Sequence, residues 1–355
     1  MSPAKPSDGA ASATIHDVAR LASVSVATVS NALNAARPVA PATRARVLKA
    51  AQALGYTPHA AARSMRGRGS GLIGLIVADI TNPFFTSLVQ SVERAANAHG
   101  YAVLLCNSDE DHEREEKHLQ LLRTQRVDGI ILAATGQASQ GRASALGQLR
   151  APVVLVDRGL PEFGLDAVIL DNRRAALEAT RHILGFGHRR VAILAGPSTV
   201  STGADRLAGY REALLEAGVP YDARWVHDAG FREDRACDAA SDMLSQRDRP
   251  TAIFAANNLI AIGVMRAIAD RRLRCPEDVS VVSIDDFAWA NAFRPRLTTV
   301  AQPVAAMGEA AVRLLMGRIA GETPAEPRLE VMAPMLVVRD SCSKPATAKA
   351  TARAT

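Results

Sequence analysis

Residues 14–34 read TIHDVARLASVSVATVSNALN, two short amphipathic helical patterns separated by three residues. Thr14, with Asp17 three positions on, has the form of a capping box, and Ile15, Val18, Ala19 and Ala22 follow at helical spacing. Ser25 is a good N-cap for a second helix carrying Val26, Val29 and Leu33. Only Ser23, Val24 and Ser25 join the two, so the helices must cross sharply. A third helix enters at Pro41, buries Val47, Ala50, Ala51 and Leu54, and ends at Gly55. A helical hairpin in any small bundle would share this spacing. The side chains of the second helix favour a different reading: Val26, Ala27, Thr28, Ser30, Asn31 and Asn34 are small or carry a hydroxyl or amide, and no acidic residue occurs from Leu21 to Ser70. Such a face can lie close in a major groove, donate to phosphates and read base edges.

The charge distribution points the same way. The 355 residues have 42 Lys and Arg against 36 Asp and Glu. Residues 1–70 hold nine basic side chains and only Asp8 and Asp17 as acids, so the whole positive surplus sits at this end and the remaining residues are close to neutral. A phosphate backbone responds to that local field. Nothing in the N-terminal stretch MSPAKPSDGAASAT resembles the apolar core of a secretion signal, and the longest apolar runs fall far short of a bilayer span. Cys106, Cys237, Cys275 and Cys342 are widely spaced with no zinc-type pattern. A cytoplasmic protein without membrane association is expected.

From Leu72 the pattern becomes apolar runs alternating with amphipathic helices. Strands are expected at 72–77, 102–105, 129–132, 153–156, 191–194, 252–255 and 279–284, at the spacing of βαβ units and a parallel sheet. GLIGLIV, GYAVLLC and VDGIIL are echoed by RRVAILA, ARWVHDA and PTAIFAA about 120 residues later, which predicts two similar lobes with a cleft between them. Gly69, Gly71 and Gly74 spell G-x-G-x-x-G, but no strand precedes them and one runs through Gly74, so this is not a dinucleotide site. No phosphate loop, nucleophile elbow or zinc-protease motif occurs. The acidic cluster Asp109, Glu110, Asp111, Glu113, Glu115 and Glu116, interrupted by Arg114 and Lys117, reads as a solvated helix face rather than a metal site.

Three blocks in order and at matching spacing carry a family resemblance: TIHDVARLASVSVATVSNALN, RARVLKAAQALGYTPHAAARSMR and GLIGLIVADITNPFF, with VDGIIL, RLAGYREAL and SIDDFAWANAFRPRLTTV downstream. Residues 14 to about 340 resemble the lactose/galactose repressor (LacI/GalR) family of bacterial transcriptional regulators. The resemblance implies an all-α helix-turn-helix domain joined to an α/β effector domain of two Rossmann-like lobes with parallel sheets, like periplasmic binding proteins. It implies no catalysis, cofactor or metal. Its partners would be double-stranded, near-palindromic operator DNA, a second copy of the chain and a small-molecule effector. The boundaries expected are a tail at 1–13, the helix-turn-helix domain at 14–58, a hinge helix and linker at 59–70, an effector domain at 71–340 and a tail at 341–355. Within 71–340, one lobe would comprise 71–170 and 302–329, the other 171–301 and 330–340. Ser23 departs from the family, which usually has glycine in that turn.

By this resemblance Val26, Ala27 and Asn31 read bases, Thr28, Ser30 and Asn34 contact the backbone, and Ser25 also meets DNA. In the hinge, His59, Ala62 and Arg66 meet DNA and Met65 wedges into a central minor-groove step, where a flexible apolar side chain can pry a deformable step apart. The aromatic residues, only 4% of the chain, fall near strand ends together with polar groups suited to hydroxyls. Phe84, Phe85, Asp157, Arg158, Thr202, Arg206, Phe231, Asn257, Asp285 and Trp289 are the expected effector contacts. Val200 stands where a second arginine would serve an anionic effector. A sugar-binding transport protein would also explain the two lobes, but the basic N-terminal module and the lack of a secretion signal argue against it. A sugar-processing α/β enzyme is opposed by the absence of any nucleophile, metal or phosphate motif.

Overall fold

The computed structural model describes residues 13–34, 37–56, 69–136, 140–321 and 326–346, with the backbone alone at Asn34 and Gln140. The chain divides into two units, 1–70 and 71–355.

In the first unit, α1 (Ile15–Ala22), α2 (Val26–Asn34) and α3 (Pro41–Ala53) enclose a core of Val18, Ala19, Ala22, Val29, Ala32, Val47, Ala50 and Ala51. The capping box is formed: the Thr14 side chain accepts from the Asp17 N–H, and the Thr14 N–H donates to the Asp17 carboxylate at 2.9 Å. Ser23 occupies the turn with φ 52°, the left-handed conformation that explains the family's preference for glycine there. Ser25 caps α2, its Oγ accepting from the Thr28 N–H at 3.1 Å.

The second unit holds two six-stranded sheets. In the first lobe the order is β11-β5-β4-β3-β1-β2, and in the second β12-β10-β9-β8-β6-β7. The strands of the first sheet are β1 (Leu72–Val77), β2 (Ala102–Asn107), β3 (Gly129–Leu132), β4 (Val153–Asp157), β5 (Asp166–Leu170) and β11 (Leu329–Met332). Those of the second are β6 (Val191–Ala195), β7 (Val226–Asp228), β8 (Ala252–Ala255), β9 (Ser280–Ile284), β10 (Thr298–Ala301) and β12 (Met335–Val337). The sequence echo is thus a structural repeat: each lobe winds in the same doubly wound order, with its ligand-binding switch point at the carboxyl ends of the strands. Both faces of each sheet are covered. In the first lobe α4 (Pro83–Ala98) and α11 (Val304–Ala320) lie over one core, and α5 (His112–Thr124) and α6 (Gln140–Gly147) flank the other. In the second, α9 (Glu233–Ser245) and α10 (Asn258–Asp270) cover one face, and α7 (Asn172–Gly185) and α8 (Ser201–Glu216) the other. A Cβ on Gly74 would run into Leu122 of α5, so this glycine serves helix-to-strand packing.

Three expectations need correction. The first lobe extends to Met332, because β11 pairs in parallel with β5 from Leu329 opposite Ala167 to Met332 opposite Leu170; the crossing back follows residue 332 rather than 329. β12 runs antiparallel to β10, so the second sheet is mixed. The tail does not begin at 341. Ser341 is fully buried, its Oγ accepting from the Thr298 N–H and donating to the Val281 carbonyl, and Cys342 is buried beside it. Five strands were not among those expected: β5, β7, β10, β11 and β12. β7, β11 and β12 lie at sheet edges and are partly exposed, so they lack a continuous apolar run.

Candidate functional site

The lobes face one another across a chamber whose cavity volume is about 20 Å³ in this arrangement, so a ligand larger than a water must part its walls to enter. Nine of the ten residues expected there line it: Phe84, Phe85, Asp157, Arg158, Thr202, Arg206, Phe231, Asn257 and Asp285. Their placement follows from the strand ends. Asp157 closes β4, Asp285 follows β9, and Asn257 follows β8 and caps α10 by accepting from the Ile260 N–H at 2.8 Å. Phe84 and Phe85 open α4 and meet edge to face, 5.0 Å between centroids. A Cβ on Gly196, just past β6, would strike the Phe231 ring, so glycine there makes room for this aromatic wall.

Trp289 is the exception. It lies on a short 3₁₀ turn, half exposed, with its ring against Phe287 at 5.6 Å, and it does not line the chamber. Four residues the sequence reading missed do: Asp79, Asn82, Glu110 and Gln302. Asn82 had a signal, since Asn-Pro before an apolar run marks a helix start; Glu110 was hidden in the acidic cluster, and Gln302 has none. That cluster is not uniformly solvated either. Glu115 is fully buried and paired with the equally buried Arg142, whose Nη2 also donates to the Thr135 carbonyl.

Of the eight non-glycine residues with left-handed backbone among those described, Glu110, Asp157, Phe231 and Asp285 line the chamber. Such conformations are unfavourable and concentrate where a side chain must be held for function.

The electrostatics are built from two arginines and several carboxylates. Arg158 donates through Nη1 and Nη2 to the Glu110 carboxylate at 2.8 and 2.6 Å, and lies 5.6 Å from the Phe231 centroid. Burial disfavours its charge, but Glu110 and then Asp157 more than offset this and hold the guanidinium above its ordinary range. Arg206 donates to Asn172 Oδ1 and the Ala256 carbonyl, and burial wins over Asp285 and Asp157 to lower its pKa. Burial also raises Asp157 to about 6 against the pull of Arg158 and Arg206. Asp285 is raised by the same cause, opposed by Arg206 and by the Gln302 amide that donates to it. The chamber therefore offers aromatic walls, amides and acceptor-rich carboxylates, a set that hydroxyls can satisfy. Across it, Asn258 of α10 donates to Asn82 Oδ1 at 2.9 Å, joining the lobes directly.

In the first unit, Ser25 and Ala27 are exposed, and Thr28 and Asn31 are partly exposed. Ser30 is not part of that face: it is buried, 3% exposed. Val26, Val29, Ser30 and Leu33 are spaced i, i+3, i+4 and i+7, so they form the inward stripe, whereas Ala27, Thr28 and Asn31 face the other way. Arg44, Arg46 and Lys49 of α3 are exposed. His59, Ala62, Met65 and Arg66 lie outside the described residues, as does the side chain of Asn34. Among the described residues no helix is long and apolar enough to cross a membrane, and no three His, Cys, Asp or Glu side chains converge as metal ligands would.

Comparison with known proteins matches both units. Residues 14–59 fit the model of bacterial regulatory proteins of the lacI family, and residues 70–334 that of periplasmic binding proteins and the sugar binding domain of the LacI family. The chain is 37% identical to the HTH-type transcriptional repressor PurR of Photobacterium profundum, over 93% of this chain and 98% of that protein. It is 34% identical to the regulator DegA of Bacillus subtilis, with the same coverage. Among solved structures it is similar to a CelR–cellobiose complex (35% identity, 93% of this chain and 99% of that one, TM-score 0.70). It is also similar to the lac repressor dimer bound to operator and an anti-inducer (26% identity, 93% and 99%, TM-score 0.81). With a helix-turn-helix unit, a two-lobed ligand-binding body and this similarity along nearly its whole length, the chain belongs to the LacI family of DNA-binding transcriptional regulators.

Proposed function

We propose that the chain acts in the cytoplasm as a homodimeric repressor that reads a near-palindromic operator and is controlled by a small polar metabolite, a sugar or sugar-like molecule, in the chamber between its lobes. The observation that carries this reading is the chamber itself: an aromatic wall of Phe84, Phe85 and Phe231 set against Asp157, Arg206, Asn257 and Asp285. Solved relatives support it, one holding cellobiose and another, a regulator from Enterococcus faecium, holding ribose. Ala27, Thr28 and Asn31 supply base and backbone contacts, and Met65 is the wedge at the operator centre. Effector and operator are linked: whatever one does to the affinity of the other is returned in equal measure.

Gel shifts on a palindromic site, with the full chain and with residues 1–70 removed, test the regulator. Specific binding must vanish on truncation; a full-length protein that prefers no sequence over bulk DNA contradicts the proposal. Met65→Gly should weaken specific binding much more than nonspecific binding. A thermal-shift screen of sugars, sugar acids and nucleosides identifies the effector class, since a cleft ligand stabilises with the logarithm of its concentration over Kd.

A further inference from the structure

We propose that Glu110 sets the charge class of the effector: by taking both terminal nitrogens of Arg158, whose Nε has no hydrogen-bond partner and lies 3.4 Å from the Asp157 carboxylate, it bars anionic groups from the chamber and leaves a site for uncharged, hydroxyl-rich ligands. This rests on the reading of the chamber as the effector site and narrows it, excluding sugar acids and phosphorylated sugars.

Arg158 is 4% exposed, so water cannot stand in for a partner there. Both terminal nitrogens are committed to the Glu110 carboxylate, and Nη1 donates also to the Ala134 carbonyl at 2.9 Å. Such a two-pronged pair occupies the fork a ligand's carboxylate or phosphate would need. Glu110 is held in place at a conformational cost. Asp109 and Glu110 both take left-handed backbone, φ 54° and 57°, and the Glu110 N–H donates to the Ala78 carbonyl at 2.8 Å. Asp109 is tied to Arg114 at 3.0 Å and lies 3.8 Å from Arg232 of the other lobe. The second cation offers no alternative: Arg206 is engaged with Asn172 and Ala256 and faces Asp157 and Asp285. A hydroxyl brings donors to these carboxylates. A phosphate sets net negative charge against these carboxylates, with few hydroxyl donors to offset it.

The test titrates inorganic phosphate into the full-length protein, following thermal unfolding, for wild type, Glu110→Gln, Glu110→Ser and the double variant Glu110→Gln/Arg158→Gln. Wild type is expected to show no saturable stabilisation. Either single variant should bind phosphate about ten-fold more tightly or better, and the double variant should lose the gain. Saturable phosphate binding by wild type, no response in both single variants, or a gain that survives loss of Arg158 would each overturn the proposal. Operator affinity measured in the same samples separates the two readings. If phosphate acquires the Arg158 site without altering operator affinity, charge selection by Glu110 stands, and the regulatory role of the chamber is what fails.

Discussion

Asp157 and Asp285 are structural counterparts: each follows the apolar run of an equivalent inner strand, β4 in one lobe and β9 in the other, each has left-handed backbone (φ 69° and 72°), and both line the chamber with Arg206. The charge of Arg206 is thus favoured by two buried carboxylates drawn from opposite lobes, without a direct ion pair to either. That relationship makes the chamber sensitive to protonation as well as to ligand.

Burial places Asp157 at about 6, above its unfolded value. Between the two values the native state holds more protons than the unfolded one, so this group lowers stability as pH rises from about 4 to about 6. Asp157→Asn should therefore be more stable than wild type at pH 7.5, by an amount on the order of 3 kcal/mol, and the difference should vanish near pH 4. Urea unfolding of both proteins at several pH values measures this; a difference independent of pH contradicts the assignment.

The Glu115–Arg142 pair is sealed from solvent, with both side chains 0% exposed. Glu115→Gln removes the carboxylate charge facing a buried guanidinium and should destabilise the protein by about 3–5 kcal/mol. Glu115→Leu combined with Arg142→Met should recover much of that loss. Chemical denaturation of the two variants distinguishes a paired charge from a replaceable one.

Ser23 sits where a residue with a Cβ is strained. Ser23→Gly should stabilise the helix-turn-helix unit by about 1 kcal/mol, seen as a higher midpoint for the unfolding of that unit in the full chain, with operator specificity unchanged.

The two faces of α2 predict opposite consequences. Asn31→Ala should reduce discrimination between operator and random DNA by about 1–3 kcal/mol. Ser30→Ala, at a buried position, should change unfolding and leave the ratio of specific to nonspecific binding in place. Fluorescence anisotropy on operator and scrambled duplexes decides between them.

Asn82 both caps α4 and accepts from Asn258 across the cleft. Asn82→Ala should loosen closure, visible as a larger radius of gyration in solution scattering without ligand, and should weaken binding of whatever effector the screen identifies. An unchanged radius and affinity would show that closure does not depend on this bond.

Sequence alone determined the architecture because architecture is written locally. Capping residues, helical and strand periodicity, and the repeat of βαβ spacing each need only near neighbours, and they fixed both units; nine of the chamber's residues followed from their place at strand ends together with the family resemblance. Trp289, Ser30 and the acidic cluster show where that reading stops. Trp289 follows a strand end in sequence, yet its turn packs against Phe287 and faces outward. Ser30 has the chemistry of a DNA-facing residue but the helical phase of a core one. Glu110 and Glu115 belong to one charged run, and only the paths of β4 and α6 bring Arg158 to the first and Arg142 to the second. Which strand edges pair, where the chain crosses between lobes and which charges meet in the chamber depend on contacts between residues far apart in the chain. Those contacts exist only once the sheets are stacked and the lobes closed, and they decide what the chamber can bind.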